Sequence, residues 1–215
     1  MATLGVIMAM IRLLTPATMQ EGLLALAEQD SDLAQLWQMQ GEPPTWFREP
    51  TFATLIHIIL EQQVSLASAR AAFNKLLVLA NPLMPERFLA LDDVALRQAG
   101  FSRQKMNYGR YLAHALLNGD LDLAELEQLD DVQVRQELTK IKGIGNWTAN
   151  VYLMMALRRV DIWPSGDLAV AVAVQEIKKL PQRPKNDELT KLAEQWQPWR
   201  GIAARLFWQY YLSTR

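Results

Sequence analysis

The sequence predicts an all-α fold, and three observations support that prediction. Across 215 residues, apolar side chains recur at intervals of three and four, which is the spacing of one face of a helix. No segment shows the sustained alternation of apolar and polar residues that is typical of a half-buried strand. Ser, Thr and Asp precede the periodic segments, and Gly, Pro or Asn-Gly follows them, as at helix starts and stops.

The first half of the chain divides into helices at these caps and breakers. Thr15 can cap the first helix, GEPPTW at 41–46 interrupts the chain, and Pro50 opens the next helix. Ser65, the last residue of EQQVS at 61–65, is a further cap. The predicted helices cover about residues 16–39 (in one or two pieces), 50–60, 66–77, 93–99 after Asp92, and 103–118 after Ser102.

The second half follows the same pattern. Asp130 or Asp131 begins a helix, KGIG at 142–145 turns the chain, and Asn146 caps the following helix. The loop VDIWPSG precedes Asp167, which starts another helix. The predicted helices cover about residues 131–139, 147–158, 167–179, 187–195 and 199–213.

Composition excludes several kinds of site. The chain has no cysteine and two histidines, His57 and His114, so disulfides, thiolate nucleophiles, cysteine-ligated iron–sulfur clusters and His-rich metal centres are excluded. The net charge of −1 gives no overall attraction to nucleic acid, which would have to bind at a local basic patch. The apolar start of the chain is interrupted by Arg12 and is shorter than the roughly 18 residues of a membrane-spanning helix. We therefore expect a cytoplasmic protein, and leave open whether residues 1–15 are ordered.

The segment LTKIKGIGNWTA at 138–149 has the pattern of two helices joined by a glycine turn. Gly143 and Gly145 allow unusual backbone angles and close approach of another backbone, while Ile144 can plug between the helices. Their amides can bind phosphate, together with the amides in the first turn of the following helix, which contains Thr148. Lys142 adds a positive charge. This segment resembles the helix-hairpin-helix motif, which binds the DNA backbone without reading sequence.

The resemblance extends beyond the hairpin. ILEQQVS at 59–65, AGFSRQKMNYGRYLA at 99–113, Gly-Asp at 166–167 and WQPWRGIAARLFW at 196–208 all stand in the expected order. With these segments and the hairpin, the chain resembles the helix-hairpin-helix base-excision DNA glycosylases, and within them the 3-methyladenine DNA glycosylase II branch. The resemblance implies two lobes with a DNA cleft between them. Residues 1–50 would pack with the C-terminal helices, and residues 51–215 would form the glycosylase core around the hairpin.

The same resemblance implies a chemistry. Such enzymes flip a damaged nucleotide out of duplex DNA and hydrolyse its N-glycosidic bond, and Asp167 would stabilise the cationic sugar. Trp147 stands where relatives with lyase activity carry a lysine, so we expect a monofunctional enzyme. Trp147 and Trp208 would form a base pocket for alkylated purines such as 3-methyladenine and 7-methylguanine.

The implied DNA contacts lie on several segments. Gln62 and Gln63 would enter the gap left by the flipped base, and Ser102 and Lys105 would meet a phosphate. We expect no cofactor and no catalytic metal. A structural Na⁺ or K⁺ would bind the hairpin carbonyls of Thr139, Ile141 and Ile144.

Two other functions remain open at this point. In this resemblance, Val151 and Leu168 stand where the best-known bacterial member of the branch has pocket tyrosines, and their difference would suit a glycosylase for a deaminated or mismatched base. A hairpin is also used as a plain clamp, so the chain could be a non-catalytic DNA-binding module. In each case we expect a monomer whose partner is double-stranded DNA, damaged DNA for either glycosylase.

Overall fold

The computed structural model describes residues 11–215, and the all-α prediction is confirmed. These residues form helices and one short 3₁₀ segment, with no β-strand beyond an isolated bridge between Leu13 and Arg159. Residues 1–10 lie outside the described part of the chain. The question of order in residues 1–15 can therefore be addressed only for residues 11–15. The helices are α1 Pro16–Gln29, α2 Ser31–Gln40, α3 Phe52–Glu61, α4 Leu66–Leu79, α5 Pro85–Leu89, α6 Asp93–Ala99, α7 Arg103–Asn118, α8 Leu123–Leu126, α9 Asp131–Thr139, α10 Asn146–Met155, α11 Leu168–Ile177, α12 Asn186–Ala193 and α13 Arg200–Ser213.

The chain folds into two units. Unit 1 holds residues 11–47 together with Leu153–Arg215, and unit 2 holds Arg48–Tyr152. In unit 1, α1 packs on α2, and α13 packs on both α11 and α2. Trp163, Trp196 and Phe207 form an aromatic cluster in its core, with ring centroids 5.2 to 6.5 Å apart.

Unit 2 is built around α3, in which eight of the ten residues are buried. Leu55, Ile56, Ile58 and Ile59 are all fully buried, because α4 and α7 pack against this helix. A helix buried on several sides gives a rigid support to the segments that follow it. Here the segment that follows is the loop containing Gln62 and Gln63.

The helix boundaries differ from the sequence prediction where a local contact ends or starts a helix. Asp30 separates α1 from α2 by accepting hydrogen bonds from the amides of Asp32 and Leu33. The predicted helix to residue 158 ends at Met155, and Arg158 adopts a φ of +56°. Helices α5 and α8 were not predicted, because four or five residues are too few to show helical periodicity.

No helix in the described residues is long and apolar enough to cross a membrane.

Candidate active site and nucleic-acid interface

The hairpin lies in unit 2 and joins α9 to α10. Leu138, Ile144 and Ala149 are buried, and the Ile144 amide donates to the Ile141 carbonyl at 3.0 Å. Gly143 has a φ of +101°, and a Cβ built there would lie 2.1 Å from Cγ of Tyr108. Both the backbone angle and the packing therefore require glycine at this position.

Gly145 is different, because the protein itself leaves space around it. It is exposed, and a built Cβ would meet no atom within 4 Å. Packing inside the chain therefore does not explain the glycine. Its missing side chain does allow an external backbone to approach the amides at the start of α10, where helix geometry favours an anion.

The two glutamines of the α3–α4 loop take different roles. The side-chain amide of Gln62 donates to the Gly143 carbonyl at 2.9 Å and to the Thr148 hydroxyl at 3.0 Å. Gln62 therefore ties the loop to the hairpin. Gln63 is exposed and has a φ of +57°, a strained conformation for a residue with a side chain.

Two of the residues expected to contact DNA point into the protein. Thr148 is only 1% exposed, so its hydroxyl serves the bond from Gln62 and only its backbone lies in the first helical turn. The Lys105 ammonium donates to the Leu60 carbonyl at 2.7 Å, and burial lowers its pKa. Ser102 caps α7 by accepting from the Lys105 amide at 3.2 Å. These three side chains hold the loop, the hairpin and α7 in place.

Lys142 remains at the surface beside the hairpin. Its ammonium lies 5.3 Å from the ring centroid of Tyr111, which is itself exposed. Tyr108 and Tyr111 were not singled out by sequence reasoning. Their spacing of three on one helix face, opposite the hairpin glycines, is the signal that could have indicated them.

Asp167 lies in unit 1 at the start of α11. One carboxylate oxygen accepts a hydrogen bond from the Val170 amide at 3.0 Å, so the side chain caps the helix. Asp167 is 9% exposed, and the N-terminus of α11 favours its negative charge. A buried carboxylate held in one orientation is suited to stabilise a nearby positive charge.

The tryptophans expected in a base pocket lie in different surroundings. Trp208 is 7% exposed in α13, and its ring meets Trp46 edge to face with centroids 6.0 Å apart. Trp46 has a φ of +47°, which sequence reasoning did not anticipate. Trp147 belongs to unit 2, where it is half-buried in the first turn of α10.

The two positions that lack tyrosine also differ from each other. Val151 is 2% exposed, whereas Leu168, next to Asp167, is 58% exposed. An exposed apolar side chain beside the proposed catalytic carboxylate is available to touch a ligand, whereas Val151 is packed.

Among the described residues, no cluster of three or more His, Asp and Glu side chains is arranged to hold a metal ion. The hairpin carbonyls are not part of such a cluster, and they offer backbone oxygen atoms instead. The Ile141 carbonyl accepts one hydrogen bond, from Ile144, and a carbonyl oxygen has a second lone pair.

Comparison with known proteins agrees with this geometry. The family profile described as the HhH-GPD superfamily base excision DNA repair protein matches residues 56–198. DNA-3-methyladenine glycosylase 1 of Schizosaccharomyces pombe is 31% identical over 166 residues, covering 75% of this chain and 72% of the relative. A second protein of that yeast, an alkylbase DNA glycosidase-like protein, is 29% identical over 72% of this chain and 75% of its own length.

Solved structures give the same result. The S. pombe 3-methyladenine DNA glycosylase, in complex with abasic DNA, superposes with a TM-score of 0.83 at 28% identity and covers 88% of this chain and 95% of its own. A DNA-3-methyladenine glycosidase from Bacillus halodurans superposes with a TM-score of 0.70 at 32% identity, over 86% of this chain and 87% of its own. The chain therefore belongs to the HhH-GPD superfamily of base excision DNA repair proteins.

Proposed function

We propose that this protein is a monofunctional DNA glycosylase that excises alkylated purines, of the 3-methyladenine and 7-methylguanine type, from duplex DNA. The observation that carries the proposal is Asp167, a carboxylate that is 9% exposed and oriented by its bond to the Val170 amide. The names of the relatives support the substrate class, since both the S. pombe and the B. halodurans proteins are 3-methyladenine enzymes.

In the proposed reaction, the damaged nucleotide leaves the base stack and the bond from C1′ to the base nitrogen breaks. The electron pair of that bond leaves with the base, so the sugar becomes cationic in the transition state. The Asp167 carboxylate stabilises this charge and orients a water molecule. The water oxygen adds to C1′, and the added water then loses a proton to the solvent. An alkylated base is already a good leaving group, so the enzyme need not protonate it strongly.

Trp147 supports the absence of lyase action. A lyase would need an amine at this place to attack the sugar, and an indole nitrogen is not such a nucleophile. In our proposal the Trp147 indole stacks on the electron-poor base, with Trp208 as a second aromatic wall. The edge contact of Trp208 with Trp46 would fix the orientation of that wall.

Gln63 is our choice for the residue that fills the gap in the DNA stack. Gln62 is held by two hydrogen bonds to the hairpin, while Gln63 is exposed at the tip of the same loop. The hairpin amides around Gly143 and Gly145 would hold a phosphate of the DNA strand, with Lys142 beside them. The Ser102-capped start of α7 would meet a further phosphate.

We further propose that the carbonyls of Thr139, Ile141 and Ile144 hold a structural Na⁺ or K⁺, which would add positive charge where a phosphate approaches the hairpin. No cofactor enters the proposed reaction. The monomeric state and the cytoplasmic location stay predictions.

The test is release of bases from methylated duplex DNA by the wild type and by Asp167→Asn, followed by a strand-nicking assay. We expect 3-methyladenine or 7-methylguanine from the wild type, abasic strands that stay intact, and no covalent adduct when borohydride is added. If only hypoxanthine or uracil is released, the deaminated-base alternative replaces this proposal; Leu168, an exposed side chain next to Asp167, is the observation that favours it. If DNA is bound and no base is released from a panel of lesions, the protein is a binding module.

A further inference from the structure

Unit 2 carries an open hollow of about 380 Å³ beside the hairpin that the glycosylase chemistry does not use. Five of its lining residues come from the first three turns of α7, and the sixth is the hairpin lysine. They are Arg103, Gln104, Asn107, Tyr108, Tyr111 and Lys142.

The hollow has a fixed floor. The Tyr108 ring lies against Gly143, and its hydroxyl accepts a hydrogen bond from the Gln104 side-chain amide at 2.5 Å. The Lys142 ammonium lies over the Tyr111 ring at 5.3 Å. The hollow therefore adjoins the first glycine of the hairpin, and the Tyr108 ring is positioned before a ligand arrives.

Its charge is opposite to that of the chain. The whole protein has a net charge of −1, yet the hollow is lined by two cations, Arg103 and Lys142, and by no acidic side chain. Asn107 and Gln104 add hydrogen-bond donors, and Tyr111 is 42% exposed. A ligand with an anionic group attached to a part that can pack on an aromatic ring matches this lining.

We propose that the hollow binds a phosphate and its deoxyribose on the DNA strand, next along the strand from the phosphate held by the hairpin. Arg103 contacts this phosphate, Lys142 stays beside the hairpin phosphate, and the sugar packs on Tyr111. This inference rests on the DNA partner of the proposed function, but not on the lesion that is excised. Because the contacts are to backbone groups, they act equally on all sequences.

The first experiment measures affinity for an undamaged duplex by fluorescence anisotropy over a range of salt concentrations. Arg103→Gln should lower the slope of log affinity against log salt by about 0.9, the value for one lost phosphate contact. Tyr111→Ala should weaken binding roughly fivefold without changing the slope, the effect of about one lost aromatic contact. Tyr111→Phe should restore it.

Tyr211 gives a matched control in unit 1. Its ring also lies under a cation, the Arg215 guanidinium at 4.2 Å, yet it is far from the hairpin in sequence and has no place in the proposed DNA contacts. Tyr211→Ala should leave DNA affinity and base release unchanged. Thermal unfolding of each variant checks that the fold is intact.

The second experiment locates the phosphate. In a duplex with an abasic-site analogue, single phosphates are replaced by uncharged methylphosphonates. Replacement of the phosphate at one position should weaken binding by the wild type. The same replacement should leave the affinity of Arg103→Gln unchanged. If Arg103→Gln and Tyr111→Ala bind as tightly as the wild type, the hollow is not a DNA site, although the proposed function stands. If the wild type binds no DNA, both proposals fall.

Discussion

Replacing Asp167 by Asn separates the two roles of this side chain. As a helix cap, Asp167 accepts the Val170 amide through one oxygen at 3.0 Å, and the Asn side chain offers the same acceptor. The variant loses the interaction of a charge with the helix N-terminus, which is about 0.3–1 kcal/mol. For a chain of this size, loss of this one interaction lowers the melting temperature by no more than about 4 °C.

The effect on the reaction should be much larger. A unit negative charge about 5 Å from the developing sugar cation, at an effective dielectric constant of about 20, stabilises the transition state by about 3 kcal/mol. Its loss lowers the rate by roughly 150-fold. The assay is single-turnover release of 7-methylguanine at saturating protein, which removes any difference in DNA affinity.

Asp92→Asn is the matched control for this substitution. Asp92 also caps a helix, α6, by accepting from the Ala95 amide at 2.8 Å, so its variant changes a cap and no catalytic group. Base release by Asp92→Asn should equal that of the wild type. If Asp167→Asn retained at least a third of the wild-type rate, Asp167 would be a helix cap only, and the electrostatic argument would be wrong.

Four further predictions follow from the geometry. Gly143→Ala should lower the free energy of unfolding by more than about 2 kcal/mol in urea titrations, since its φ is +101° and its Cβ would clash with a tyrosine ring. Gly145→Ala should change that free energy by less than about 0.5 kcal/mol and still weaken DNA binding; equal stability losses in both variants would contradict this. Gln63→Ala should lower base release from duplex DNA about tenfold, through an unfilled gap in the stack, without lowering the melting temperature. Burial lowers the pKa of His57, so its contribution to stability is present above pH about 6.5 and is lost as the pH falls through the lowered pKa. The free energy of unfolding of His57→Phe, which retains an aromatic ring on Phe73, should therefore be less sensitive to acid than that of the wild type.

The sequence predicted the helices and their caps because those signals are local. The cap at Asp167 and the glycine requirement at Gly143 each depend on residues within a few positions or on a known backbone constraint. The roles of Gln62 and Lys105 could not be predicted in this way. Gln62 bonds to groups 81 and 86 residues away, and Lys105 to a carbonyl 45 residues away. In a linear reading both residues are simply polar side chains near DNA-binding segments, and only the packing of unit 2 turns them inward.

That inward turn has a consequence for how an acidic protein can bind DNA. Much of what unit 2 offers to phosphates is uncharged, namely the hairpin amides and the Ser102-capped start of α7, and Lys105 is engaged with a carbonyl. Arg103 and Lys142 are the cations of the proposed contact surface. With two phosphates neutralised, the slope of log affinity against log salt should be about −1.8, so affinity should fall only about tenfold between 50 and 200 mM salt.

A slope of −5 or steeper would show that other cations bind the backbone. The basic segment of unit 1 after α11 is the first place to look, although Lys178 there is paired with Asp30 at 2.6 Å and Asp32 at 2.9 Å. Lys179 and Arg183 follow it at exposed positions. Neutralising those two residues would then restore a shallow slope. If it did not, DNA binding would depend on a surface other than the hairpin and the hollow beside it.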